Sequence, residues 1–289
     1  MKLFHSSQSS SYCMLIVRCL ALMLGFSFAS VSVAEPLRVV ITADAGRDSQ
    51  DPSYFYQQVL ILALTKTQVT DGEFELGHNA HGGGIARDRA MVIAGAGIDV
   101  MWATATKERE EQMRVVPVDL LKGLNNYRLL LIRKDSQLQF NQVKTLNDLK
   151  RFTAGSGEHW TDGFIMRDNG FSVVLTSSYF GLFKMLAARR FDFIPRGLHE
   201  VGYDATVYKE FALEKEKNIL LSYSPAISYC FFVNKNNLKL ADRIERGLKI
   251  AQQDGSFDKL FYQVPSFKEG EEILKRANRI VLDVKNTKK

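Results

Sequence analysis

Ile98-Asp99-Val100-Met101-Trp102-Ala103-Thr104-Ala105-Thr106-Lys107-Glu108-Arg109 puts hydroxyls and a guanidinium at the end of a short apolar run. Such a run reads as a buried strand that opens into a loop. Thr104 and Thr106 offer hydroxyls there, and Arg109 offers a planar, permanently charged fork suited to a carboxylate. With Trp102 beside them they form one wall of a small-anion site. The same residues carry a plainer reading. Thr106 is then the N-cap of a short helix, Glu108, Glu110 and Glu111 favour its positive end, and Arg109 lies at the surface.

Enzyme chemistry finds little support elsewhere. His78-Asn79-Ala80-His81 has two histidines closer than a helical i,i+4 ligand pair, with no third ligand at usable spacing, so no metal is expected. His81-Gly82-Gly83-Gly84 is similar to the oxyanion turn of lipases, but the nucleophile elbow G-x-S-x-G is absent. Ser156 sits instead in Ala154-Gly155-Ser156-Gly157-Glu158. The plain account of the glycines is a backbone turn before a helix. Phosphate loops and paired zinc cysteines are also missing. No catalytic residue, metal or cofactor is therefore assigned, and the chain is read as a non-enzyme.

The chain has 289 residues, 46% hydrophobic and 24% charged, an ordinary globular composition. Lys2 and Arg18 flank an acid-free start, Cys19–Ala29 is apolar, and Ser32-Val33-Ala34 is a small-x-small site before Glu35-Pro36. These features make residues 1–34 a secretory signal peptide cut after Ala34. The apolar core is shorter than the roughly 20 residues a bilayer span needs. Removing the leader takes the formal charge from +6 to +4. Basic residues are scattered, which argues against a nucleic-acid surface. Cys13 and Cys19 leave with the leader, so Cys230 remains alone and no internal disulfide is possible. Tyr229, Phe231, Phe232 and Val233 around it read as a buried strand.

Strands alternate with helices. Leu37–Thr42 is a strand, and Asp51-Pro52 starts a helix whose apolar face is Phe55, Val59, Leu62 and Ala63. Phe74–Leu76 is a second strand, followed by a helix with Ala86, Ala90 and Ile93 on its apolar face and a stop near Gly95 or Gly97. Further on come the strand Tyr127–Ile132, a helix capped by Thr145 with Asp148 at N3, and a helix from Ser177 or Ser178 through Leu182, Phe183 and Leu186. Phe191-Asp192-Phe193-Ile194 then repeats the pattern of Ile98-Asp99-Val100-Met101, helix, turn, apolar-Asp-apolar strand. Asp99 and Asp192 are read as structural acceptors where helix meets strand. Asn236 or Asn237 opens a helix with Leu240, Ile244, Leu248 and Ala251, stopped by Asp254-Gly255. The pattern implies an α/β chain of two similar lobes.

This order of elements resembles the bacterial family-3 solute-binding proteins, periplasmic receptors for polar amino acids in ABC uptake systems. Three stretches carry the likeness: I-D-V-x-W-A-x-A-T-x-x-R from Ile98 to Arg109, T-L-N-D-L-K from Thr145 to Lys150, and the strand, turn, helix and D-G-S-F between Tyr229 and Tyr262. The resemblance implies the two-lobed type II periplasmic binding fold, each lobe a mixed, mainly parallel sheet flanked by helices. Lobe I takes 37–122 with 227–285, lobe II takes 124–224, and 286–289 is a frayed tail. Two crossovers, near Asp119–Gly123 and Ser224–Ser228, join the lobes, and the ligand lies in the cleft. The family's T-x-x-R arginine, which holds the ligand carboxylate, falls on Arg109 with Thr106 beside it. Tyr54, Phe55 and Asp51 lie where the first helix meets the cleft; one aromatic there stacks on the ligand, and Tyr54 is counted among the ligand contacts.

The chain departs from the family at two places. Gly197 stands where an acid usually holds the ligand's amino group, between Arg196 and Leu198. Arg196 there adds a second positive charge or faces water. The solute then lacks an α-amino group or has two acidic groups, unless Glu200 replaces the acid one turn on. The turn Gly155–Asp162 also differs, with Trp160 set either to cover the ligand or to pack in the core. The resemblance implies a small anionic or zwitterionic solute, a periplasmic monomer and an inner-membrane ABC permease as partner. The alternative is a sensory or adaptor module of the same fold without transport.

Overall fold

Asp51 accepts from Ser53 N at 2.7 Å and so caps the first helix, with Pro52 at its first position, where a missing N–H costs nothing. The computed structural model describes residues 1, 35–43, 51–80, 84–276 and 278–288. Residues 2–34, on which the leader expectation falls, and His81-Gly82-Gly83 lie outside the described residues. The first elements are β1 (Leu37–Ile41), α1 (Pro52–Lys66), β2 (Phe74–His78), α2 (Gly84–Ala94), β3 (Val100–Thr104), α3 (Lys107–Gln112) and β4 (Met113–Val115). The middle of the chain gives β5 (Tyr127–Arg133), β6 (Ala154–Gly157), α4 (Thr161–Asp168), β7 (Val173–Thr176), α5 (Tyr179–Ala187), β8 (Phe193–Gly197), α6 (Val201–Val207), β9 (Leu213–Lys215) and β10 (Ile219–Ser224). Last come β11 (Tyr229–Asn234), α7 (Leu238–Gln253), α8 (Ser256–Phe261), α9 (Pro265–Lys275) and β12 (Ile280–Lys285).

β1 pairs with β2, and β3, β11 and β4 lie side by side in that order. The remaining strands form one sheet in the order β12-β10-β5-β8-β6-β7, with β9 also on β5. The chain passes between the two groups three times, from β4 to β5, from β10 to β11 and, through α7–α9, from β11 to β12. Parallel and antiparallel ladders are about equally common, so the sheets are mixed rather than mainly parallel. The antiparallel ladders centre on β5 and β11. β5 alternates Leu129 and Leu131 into one core with Leu130 and Ile132 into the other, so both its faces are buried.

Most local expectations hold. Ser178 and Asn237 cap α5 and α7, and Thr145 with Asp148 forms a capping box. Leu240, Ile244, Leu248 and Ala251 are buried along α7. Cys230 is a buried, free cysteine whose thiol is pushed up to about 12 by burial, so it packs as a small hydrophobe. Asp99 and Asp192 do the same work in the two halves. Val40 N donates to Asp99 Oδ2 at 2.8 Å while Asp99 N donates to Val40 O at 2.8 Å. Thr153 N donates to Asp192 Oδ2 at 2.8 Å while Asp192 N donates to Thr153 O at 2.8 Å.

Three expectations fail. The inward face of α2 is Asp88 and Val92, and Ala86, Ala90 and Ile93 are exposed. Thr42 Oγ1 donates to Asp88 Oδ2 at 2.8 Å, and this bond with Val92 outweighs the small apolar area of two alanines. Residues 280–285 do not join the first group, because β12 pairs in parallel with β10 along its whole length. Leu282 and Val284 point into the core beneath that sheet while Val281 is exposed, an alternation that suits an edge strand. Nor do Asn286–Lys288 fray: Asn286 is 4% exposed, and its backbone N–H donates to Ser224 O at 2.7 Å.

Asp99→Ala and Asp192→Ala each leave one strand N–H without its acceptor, and each should cost about 1–2 kcal/mol. Urea unfolding of the two variants should give similar losses. A loss from only one of them would break the equivalence.

Candidate functional site

Arg109 is 8% exposed, at the third position of α3. Thr106 is the N-cap, its hydroxyl accepting from Arg109 N at 3.3 Å. Arg109 Nη1 donates to Thr104 O at 2.8 Å and to Thr161 Oγ1 at 3.1 Å, so it bridges β3 and the start of α4. Nε is buried with no partner, and Nη2 bonds no described residue, so the Nε–Nη2 edge of the fork is open. Arg109 forms no ion pair among the described residues. Burial accordingly pulls its pKa below the ordinary arginine value, with the Arg89 charge adding to the effect. Of the plainer reading the cap at Thr106 holds, while Arg109 is buried and not at the surface.

The other arginines here are satisfied. Arg128 donates through Nε to Asp162 Oδ1 at 2.5 Å and through Nη1 to Asn125 O at 2.7 Å, and it lies over the Tyr223 ring. Tyr223 Oη donates to Asp162 Oδ1 at 2.6 Å. Burial pushes the Asp162 carboxyl up, but Arg128 and Tyr223 outweigh it and hold the pKa below the usual value. Arg196 donates through Nε to Asp204 Oδ2 and through Nη2 to Glu200 Oε2, both at 2.6 Å. It also stacks on Trp160, 4.5 Å from the ring centroid. The second free charge expected of Arg196 is therefore absent; two carboxylates face one guanidinium.

Gly197 explains how. A Cβ at 197 would fall 2.3 Å from the His199 ring and 3.2 Å from Glu200 Oε1. Gly197 N also donates to Glu200 Oε1 at 3.2 Å. The missing acid side chain thus leaves space that the Glu200 carboxylate and the His199 ring occupy. Gly157 has a similar role, since a Cβ there would meet Trp160 at 2.5 Å. That clearance lets the indole lie over the Gly157–Trp160 turn. α4 begins directly after it with no side-chain cap, so its first N–H groups remain available to an anion.

Trp102, Thr104, Arg109, Trp160 and Arg196 line one cavity of about 230 Å³, together with Asn125, Arg128, Asp162, Tyr179, His199, Glu200 and Tyr229. Thr106 lines an adjoining cavity of about 440 Å³ on the other side of Arg109, and His159 and Thr161 line both. Tyr54 lines neither, and Phe55 is buried against Phe257, Phe261 and Phe267. The aromatic that α1 brings forward is Tyr56, 5.6 Å from the Trp102 ring and 5.1 Å from that of Tyr229. Tyr54 is two positions away, more than half a helical turn, and so faces elsewhere. Arg128 had a sequence signal that went unread, a lone charge inside the apolar run Tyr127–Ile132.

No protein-family model matches the sequence, and no curated protein does. Solved structures do. A periplasmic binding protein from Salmonella typhimurium, described for its high arginine specificity, has a TM-score of 0.60 at 16% identity, covering 80% of this chain and 99% of that one. The amino acid ABC transporter substrate-binding protein AbpA from Streptococcus pneumoniae, bound to L-arginine, gives 0.59 at 15% identity over 81% and 95%. A histidine kinase sensor domain with similarity to periplasmic binding proteins gives 0.56 at 17% identity over 80% and 96%. The fold is that of the periplasmic binding proteins. The 230 Å³ cavity has Arg109, just after β3, on one side and Trp160, Thr161 and Glu200, from the loops and helices of the seven-stranded sheet, on the other.

His199 is 5% exposed, with Nδ1 lacking a partner, and burial followed by Arg128 and Arg196 pushes its pKa well below the ordinary value. Asp162 and Glu200 are the acids that face it. The unfolded chain therefore binds a proton that the folded chain refuses. As pH falls below about 6.5, this group costs up to about 1.4 kcal/mol of stability per pH unit. His199→Gln should flatten the pH dependence of urea midpoints between pH 6.5 and 5. An unchanged slope would mean that the imidazole is protonated in the fold.

Proposed function

We propose that the chain is a periplasmic receptor for a small α-amino acid, held in the cleft between Arg109 and Glu200. The reading rests on the buried, unpaired charge of Arg109. A desolvated cation without a counter-ion is costly, and a carboxylate on its open Nε–Nη2 edge forms a strong bidentate pair. The uncapped start of α4 adds N–H donors on the second lobe.

The opposite end of the cleft is negative. Asp204 is fully buried against Arg196 and balances it, which leaves the half-exposed Glu200 in surplus. Burial raises the Asp204 pKa, while Arg196 and the Tyr179 hydroxyl at 2.7 Å support its ionised form. Glu200 is then the acceptor for an ammonium, with the Trp102 and Tyr229 rings alongside. Arg196 and Trp160 form the wall that holds this carboxylate in place. Thr104 supplies a carbonyl to Arg109, and its hydroxyl lies 3.5 Å from Asn125 Nδ2. The solute thus carries an α-amino group, in place of the amino-free or doubly acidic one drawn from Gly197.

Export through the leader, life as a monomer and delivery to an inner-membrane ABC permease complete the reading. AbpA, an ABC transporter substrate-binding protein, supports it. Likeness to a histidine kinase sensor domain supports a second role, reporting the solute without transporting it. Permease and ATPase genes beside this one would favour uptake, and a lone gene or a signalling neighbour would favour sensing.

A thermal-shift screen of L-amino acids and their α-hydroxy analogues tests the site. A hit at ~100 times Kd should stabilise the protein by about 2.7 kcal/mol. Arg109→Ala should abolish the shift while keeping the unliganded stability within about 1 kcal/mol. Glu200→Gln should weaken the amino acid at least about tenfold and spare the hydroxy analogue. Wild-type affinity in Arg109→Ala would overturn the assignment.

A further inference from the structure

Asn286–Lys288 follows β12 out of the second-lobe sheet and crosses to the first lobe. Asn286 N donates to Ser224 O at 2.7 Å and Asn286 Nδ2 to Pro225 O at 3.0 Å, which fixes the segment to the second crossover. Lys288 Nζ pairs with Asp168 at 2.8 Å, and Thr287 Oγ1 donates to the same carboxylate at 2.5 Å, at the end of α4. Lys288 N donates to Asn286 Oδ1 at 3.0 Å, which folds the segment on itself. Lys288 O then accepts from Lys107 N at 3.0 Å. Lys107 is the first residue of α3, the helix that carries Arg109.

α3 has six residues and few means of its own to hold a buried cation steady. One of its first N–H groups is satisfied by Thr106 within the first lobe and another by Lys288 across the lobe boundary. Thr287 and Lys288 also wall the 440 Å³ cavity that adjoins Arg109. We propose that Asn286–Lys288 is a positioning strap, which ties the Arg109 helix to the second lobe and the crossover and so sets the solute affinity of the cleft. The affinity part rests on the reading of Arg109 as the carboxylate partner; the mechanical part does not.

One substitution isolates the strap. Thr106 has φ −86° and ψ 151°, the extended conformation that a following proline requires, and proline is well tolerated at the first helical position. Lys107→Pro therefore deletes the N–H that meets Lys288 O and leaves α3 able to form. Lys107→Ala removes the same side chain and keeps the N–H. Hydrogen exchange at Glu110–Met113 should speed up about tenfold in Lys107→Pro and in a chain ending at Lys285, with α7 unchanged as internal reference. Lys107→Ala should stay within about twofold of wild type on the same scale. Affinity for the amino acid found in the screen should fall about tenfold in the first two variants and hold in the third.

Equal exchange in all four proteins would overturn the strap, and so would Lys107→Ala behaving like Lys107→Pro. If no amino acid binds the wild-type chain, the receptor reading fails while exchange still decides the strap. If Arg109→Ala loses binding but Lys107→Pro and the shortened chain keep wild-type affinity and exchange, the strap fails and the receptor reading stands.

Discussion

The arrangement of the cleft depends on one guanidinium kept out of water without a counter-charge. Other buried arginines, one of them also without an ion pair among the described residues, use their donors more fully. Arg128 spends its donors on Asp162 and two carbonyls, and Arg196 on two carboxylates and a tyrosine hydroxyl. Arg243 meets the carbonyls of Leu64, Asp71 and Gly72 beyond the end of α1, where a cation also suits the helix dipole. Arg109 has only the Thr104 carbonyl and the Thr161 hydroxyl, so the folded chain carries a standing electrostatic debt there. Stability alone would favour an apolar side chain of similar volume. Under the receptor reading the carboxylate of the solute supplies the missing counter-charge.

The elements around it have different degrees of freedom. β3, its cap at Thr106 and the short α3 set Arg109 from the first lobe, while Thr161 and the uncapped start of α4 approach from the second. Under the receptor reading the cleft is complete only when both sides are in register, as hinge-closing receptors require. Asp99 and Asp192 stiffen the two halves separately by binding each strand back to its neighbour.

Features governed by neighbours in sequence were legible. The caps at Asp51, Thr145, Ser178 and Asn237 follow from short polar side chains placed before apolar stripes, and the stripe of α7 follows from spacing alone. The apolar-Asp-apolar pattern correctly marked two structural carboxylates. Features governed by distant partners were not. Nothing local tells β12 that its ladder is with β10, and an alternating six-residue segment fits either sheet. The rotation of α2 is decided by Thr42, more than forty residues away. Tyr54 and Tyr56 differ only in which side of α1 meets Trp102 and Tyr229. Glu200 was visible as a displaced acid, but the space it fills is made by a glycine, and the sequence does not show that absence as a vacancy.

The displaced carboxylate also sets what the cleft would turn away. Under the receptor reading it leaves a negative pole across from Arg109, inside a cavity of about 230 Å³. A dicarboxylate could satisfy the arginine with one end only by forcing its other end against Glu200, and like charges repel strongly where water is scarce. Neutral hydrocarbons would leave both poles unmatched. Selectivity among carboxylates would then come as much from repulsion at the far wall as from attraction at the near one.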